Sequence, residues 1–135
     1  MSSFDERSGE PLGQYRKDLE WMAARLAEKK ITTIFLSPTM IGEDPETKEN
    51  KFLLDYIEAM KAVAETHDAV YCPMNEFLWH MLFVTRSANP ELRFTTDGVH
   101  MTEMGTHMMG AALLVSIAQG SNFPPFDKFG ISPKK

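Results

Sequence analysis

Three observations predict an α/β fold for this chain. Amphipathic helical segments alternate with short apolar runs, each run is closed by a proline, and the connections between them are polar. The order along the chain is helix, strand, helix, strand, helix, helix. Two strands make a small sheet, and a parallel pair normally lies inside a larger one, so part of a fold is expected.

Residues 1–12 carry no apolar period and read as an irregular lead-in; the domain is expected over 13–120, followed by an irregular tail over 121–135 that contains Phe123-Pro-Pro-Phe126. From Gly13 to Lys30, the residues Tyr15, Leu19, Met22 and Leu26 stack on one side of a helix. Arg16, Lys17, Glu20, Arg25 and Glu28 leave the other side solvated, and Lys29 and Lys30 suit the negative end of the helix dipole. The run Ile31–Ser37, β-branched and aromatic and stopped by Pro38, predicts a strand covered on both faces. Gly42 and Pro45 mark a polar loop over 39–50, whose acidic part Gly42–Glu49 reads as solvated. A second helix is expected over Lys51–Thr66, with Leu53, Ile57, Met60 and Ala64 inward and Glu58, Lys61 and Glu65 outward.

Ala69–Cys72 reads as the second strand, ended by Pro73. Asn75 is expected to cap a third helix running to Ser87, apolar nearly all round through Phe77, Leu78, Trp79, Met81, Leu82 and Phe83. Trp79 and Phe83 fit either a core or the floor of an acyl pocket. Residues 88–101 form a loop with Pro90 and the Asp97-Gly98 turn dipeptide. Thr102 then caps a last helix to Gln119, stopped by Gly120. Gly105, Gly110, Ala111 and Ala112 on that helix point to a close approach to a sheet or a neighbouring helix, and Met101, Met104, Met108 and Met109 to adaptable core filling.

Composition narrows the function. The 135 residues allow one domain, and the net charge of −5 argues against nucleic-acid binding, which needs a basic footprint. Hydrophobic residues at 43% and charged residues at 24% describe a chain able to build a core. No window approaches the roughly 18 apolar residues of a membrane span, and no secretory signal opens the chain, although a longer parent could be cytoplasmic or exported. A single cysteine, Cys72, rules out an internal disulfide and fits a reducing compartment. His67, His80, His100 and His107 lack the spacing of a metal site, His100 and His107 being seven residues apart.

The chemistry concentrates in Thr95-Thr96-Asp97-Gly98-Val99-His100-Met101-Thr102-Glu103-Met104-Gly105. A serine hydrolase needs a carboxylate bonded to one imidazole nitrogen while the other nitrogen takes the nucleophile's proton. A tight turn over Asp97–His100 can bring the carboxylate to Nδ1, with Gly98 supplying the sharp bend, and imidazole titrates near neutrality. The plain alternative is an ordinary Asp-Gly turn.

The string "DGVH-hydrophobic-T-x-x-G" entering a small-residue helix resembles the C-terminal block of the SGNH (GDSL-like) hydrolases. The resemblance extends through the Tyr15–Leu19 helix, through Ile34–Thr39, and through a helix with Asn50, Leu53, Tyr56 and Ala59, covering residues 14–118 in order. It implies a flavodoxin-like three-layer fold represented by about two parallel strands and four helices. Asp97 and His100 would be its catalytic pair, with no metal and no organic cofactor, acting on a small-molecule or carbohydrate ester. The family's Gly-Asp-Ser block, which carries the nucleophile, and its Gly-x-Asn-Asp block, which completes the oxyanion hole, are absent. Serines 2, 3, 8, 37, 87, 116, 121 and 132 all lack that context. Ser37 ends a strand, where ligands gather in open α/β sheets, but its hydroxyl more simply bonds nearby backbone.

The chain is therefore expected to be the second half of such an esterase, inactive alone. The rival reading is a non-catalytic α/β binding or assembly module. In it the edge of the Ile31–Ser37 strand pairs with another copy or with an amino-terminal half. A third reading is a small α/β binding protein whose Asp-x-x-His is only a turn.

Overall fold

A computed structural model of the chain describes residues 9–120, so the start of the lead-in and the whole tail lie outside the described residues. Among the described residues the elements are α1 (Gly9–Glu28), β1 (Ile34–Leu36), α2 (Lys48–Thr66), β2 (Val70–Cys72), α3 (Met74–Ala88) and α4 (Glu103–Gln119). The strands pair in parallel, Ile34 opposite Val70, Phe35 opposite Tyr71 and Leu36 opposite Cys72. Helices cover both faces, giving three layers. On one face Phe35 and Tyr71 meet Leu19 and Ala23 of α1 and Met60, Val63 and Ala64 of α2. On the other, Ile34 and Cys72 meet Phe77, Leu78 and Leu82 of α3, Ala112 of α4, and the loop residues Met40 and Phe94. The alternation of side chains along each strand divides the core this way.

Several boundaries differ from the sequence reading for identifiable reasons. α1 begins at Gly9, so residues 9–12 of the expected lead-in are helical; Pro11 is tolerated because first-turn N–H groups have no intrahelical partner. Met22 is 42% exposed, and Ala23 takes the inward place expected for it. β1 has three residues where seven were expected, because its partner β2 has only three. Single bonds extend the ladder, Val70 N–H to Thr33 O at one end and Ser37 N–H to Cys72 O at the other. α2 starts earlier than expected, at Lys48, where the Thr47 side chain accepts from Asn50 N–H.

Both helix-to-strand connections use one turn. Lys30 (φ 57°) and Asp68 (φ 52°) take the left-handed conformation that closes a helix, with Ile31 N–H on Leu26 O and Ala69 N–H on Ala64 O. At α3 the N-cap position is Pro73, and Asn75 lies within the first turn instead of capping it. Ser37 Oγ, from the end of β1, accepts the Asn75 N–H at 2.8 Å and supplies the missing cap from a distant part of the chain. In α4, Gly105 and Ala112 are buried but Gly110 and Ala111 are exposed, so the close approach involves only the first pair. No described helix is long and apolar enough to cross a membrane.

Candidate active site

The loop between α3 and α4 is drawn closed at its base. Thr95 and Met101 form an antiparallel bridge, and Thr96 N–H donates to His100 O at 2.8 Å. Within this loop one oxygen of Asp97, Oδ1, accepts the backbone N–H groups of Val99 at 2.9 Å and His100 at 2.8 Å. The other, Oδ2, lies 2.7 Å from His100 Nδ1. An ionised carboxylate only accepts, so Nδ1 carries the proton, and in the neutral ring Nε2 then holds the lone pair. Three bonds to the charged form, the His100 backbone N–H first, then the His100 ring and the Val99 N–H, hold the Asp97 carboxyl well below the usual carboxylate range. Both side chains face solvent, His100 being 79% and Asp97 55% exposed. The two residues singled out from the sequence are thus in direct contact.

Gly98 sits at the loop tip with φ 94°, and its carbonyl accepts Gly42 N–H from the opposite loop. A side chain at Gly98 would stand 3.3 Å from the Gly42 backbone, so the spacing and the dihedral both select glycine. At the far end of the motif, Thr102 Oγ1 accepts Gly105 N–H at 3.1 Å and caps α4. A Cβ on Gly105 would fall 2.3 Å from Phe94 O, which explains the glycine three residues after the capping threonine.

The loop that the sequence suggested was solvated holds a buried carboxylate. Glu43 has only 5% of its side chain exposed. Its Oε1 accepts Arg86 Nη2 at 2.7 Å and Phe94 N–H at 3.2 Å. Its Oε2 accepts Arg93 Nε at 3.2 Å, Thr95 N–H at 3.1 Å and Thr95 Oγ1 at 2.7 Å. Burial alone would raise its pKa, but the Thr95 hydroxyl, the two backbone donors and Arg86 outweigh it and lower the pKa below the ordinary glutamate value. Asn50 fastens the same loop, exchanging bonds with Ile41 N–H and Ile41 O and donating to Asp44 O. No hydropathy pattern announces Glu43, because its partners lie 43 to 52 residues away.

Other candidates take structural places. Ser37 is buried, with its hydroxyl accepting the Asn75 N–H. That is a longer-range partner than the neighbouring backbone expected for it. Cys72 is buried, and burial pushes its thiol pKa up. His67 is the C-cap of α2, His80 is buried in α3, and His107 is exposed on α4. No group of three or more His, Cys, Asp or Glu side chains among the described residues suits a metal ion. Trp79 and exposed Phe83 line an open groove of about 630 Å³ with Pro45, Glu76, Leu82 and Arg86.

Solved structures share this architecture. LAE5, an alpha/beta hydrolase enzyme from the metagenome of Lake Arreo, Spain, matches at 21% identity and a TM-score of 0.67 over 79% of this chain and 47% of its own. The acetyl xylan esterase AlAXEase matches at 17% identity and a TM-score of 0.67 over 78% and 55% respectively. Axe2, an acetylxylan esterase from Geobacillus stearothermophilus, matches at 17% identity and a TM-score of 0.64 over 76% and 45%. The chain has a partial α/β fold of the kind those structures share. It spans about half the length of the structures it matches. No protein-family model and no curated protein matches the sequence.

Proposed function

We propose that this chain carries the general-base half of an ester-hydrolysing site of the SGNH type. The observation that carries the reading is the 2.7 Å contact between Asp97 Oδ2 and His100 Nδ1, with the imidazole otherwise open to solvent. In the reading, Asp97 orients the ring and stabilises the imidazolium that forms, and His100 Nε2 takes the proton of a serine hydroxyl. The serine oxygen attacks the acyl carbon, and His100 returns that proton to the departing alcohol. A water then repeats the sequence to release the acid and restore the serine. The substrate class is an acyl or acetyl ester of a small molecule or carbohydrate. Acetylxylan esterases among the structural neighbours support this choice.

The nucleophile and the oxyanion-hole donors come from polypeptide outside this chain, so the chain alone turns over little or no ester. Loss of a triad member alone leaves only about 10³–10⁴-fold over water, a residue that itself rests on the oxyanion hole and binding. The test is a chromogenic-ester assay on the chain alone and mixed with a separately expressed polypeptide bearing Gly-Asp-Ser and Gly-x-Asn-Asp blocks. Turnover is expected only in the mixture, and only when His100 is intact. Robust His100-dependent turnover by the chain alone would overturn the inactivity. Reconstituted turnover that survives His100→Ala would overturn the base assignment.

A second reading, a non-catalytic assembly module, draws on a different observation. Among the described residues β1 pairs with β2 along one edge only, and Leu36 at its end is exposed. Association of two copies, with no response to the complementing polypeptide, would favour it.

A further inference from the structure

We propose that Glu43 is a positioning residue for the Asp97–His100 pair. What the pair is positioned for rests on the esterase reading; the geometry of the positioning does not. Glu43 binds through both carboxylate oxygens, and its five donors occupy about the four lone-pair sites that a carboxylate offers. Three of those donors, Phe94 N–H, Thr95 N–H and Thr95 Oγ1, belong to the segment that enters the active loop. Thr95 is itself wholly buried and is bridged to Met101, directly after His100. The carboxylate thus binds one residue of the rung that closes the loop below the pair.

The same stretch of chain touches the loop a second time. Gly42, adjacent to Glu43, donates its N–H to Gly98 O at the loop tip. Glu43 therefore clamps the base of the loop while its neighbour clamps the tip, and Asp97 and His100 stand between the two. Arg86 completes the frame: its Nη2 binds Glu43, and its Nε donates to Leu92 O at 3.0 Å, tying the end of α3 to the chain that leads into the loop. A solvent-facing dyad has no packing of its own to hold its rotamers. Groups that must keep productive geometry are held by bonds to a rigid frame behind them, and the Glu43 carboxylate joins Arg86, Arg93 and the Phe94–Thr95 segment of that frame.

The experiment reads the pair directly, in the folded chain without substrate. In ¹⁵N-labelled protein, imidazole nitrogen shifts report which nitrogen of neutral His100 carries the proton, and amide exchange reports the Val99 and His100 N–H bonds to Asp97. Glu43→Gln is expected to reduce the Nδ1-protonated form and to speed those two amides about tenfold, while Val63 and Ala64 in the distant core keep their protection. Thr95→Val, which removes a single arm, should move both readouts in the same direction by less, and Thr95→Ser should restore them. Folded Glu43→Gln with an unchanged tautomer and unchanged exchange overturns the proposal. So does a Glu43→Gln that fails to fold while Thr95→Val leaves the pair untouched, since Glu43 would then serve stability alone. Absence of esterase turnover on reconstitution would sink the catalytic reading and leave this result standing.

Discussion

At the scale of single residues, the site is organised by two carboxylates in opposite surroundings. Asp97 is exposed and gains its hold on His100 from a local turn, whereas Glu43 is buried and satisfied by donors from two distant parts of the chain, α3 and residues 93–95. Both pKa values are lowered in the folded protein. A carboxylate lowered by folding is protonated first in the unfolded chain. Its contribution is therefore fully present above the ordinary carboxylate value and is lost as pH falls toward the folded one. Stability should accordingly fall as pH drops below about 4.3, the ordinary glutamate value. Asp97 contributes weakly because solvent screens it. The checking measurement is the urea midpoint as a function of pH for wild type and Glu43→Gln, with the variant expected to show the shallower acid slope. Equal slopes would remove Glu43 from the account.

At the scale of elements, termini matter more than interiors. α2 and α4 begin on threonine caps that a sequence can announce, because cap and capped N–H are three residues apart. α3 begins on Pro73 without a side-chain cap of its own and borrows Ser37 from the end of β1. Ser37→Ala would leave the buried Asn75 N–H without that acceptor, and the expected loss is about 1–3 kcal/mol. Chemical denaturation measures it; an unchanged midpoint would mean that another group satisfies the N–H. The Asn75 cap failed as an expectation for this reason: the sequence shows a good capping residue near the helix start, but Asn75 falls inside the first turn and the end of β1 brings the Ser37 hydroxyl to its N–H. The short strands follow a similar logic, since pairing length is set by the shorter partner rather than by the apolar run of the longer one.

At the scale of the whole molecule, helices cover both faces of the strand pair, yet α4 keeps large apolar side chains outward, with Leu114 68% and Ile117 61% exposed. Contiguous exposed apolar surface promotes association. Concentration-dependent light scattering is expected for the isolated chain, and Leu114→Glu with Ile117→Glu should reduce it while leaving helix content unchanged by circular dichroism. Because both positions are exposed, each exchange should alter stability by no more than about 0.5 kcal/mol. Scattering unaffected by the pair would shift attention to the open edge of β1.

The amino-acid sequence alone determined the order of elements, the inward faces of α2, the caps of α4 and the contact of Asp97 with His100. All of these depend on neighbours a few residues apart, whose relation is set by backbone geometry. Only the tertiary structure decided that Glu43 is buried, that Ser37 caps α3, and that Ala23 rather than Met22 faces the core. A carboxylate can leave water only where distant donors converge on it, and that convergence is created by packing and has no trace in local spacing.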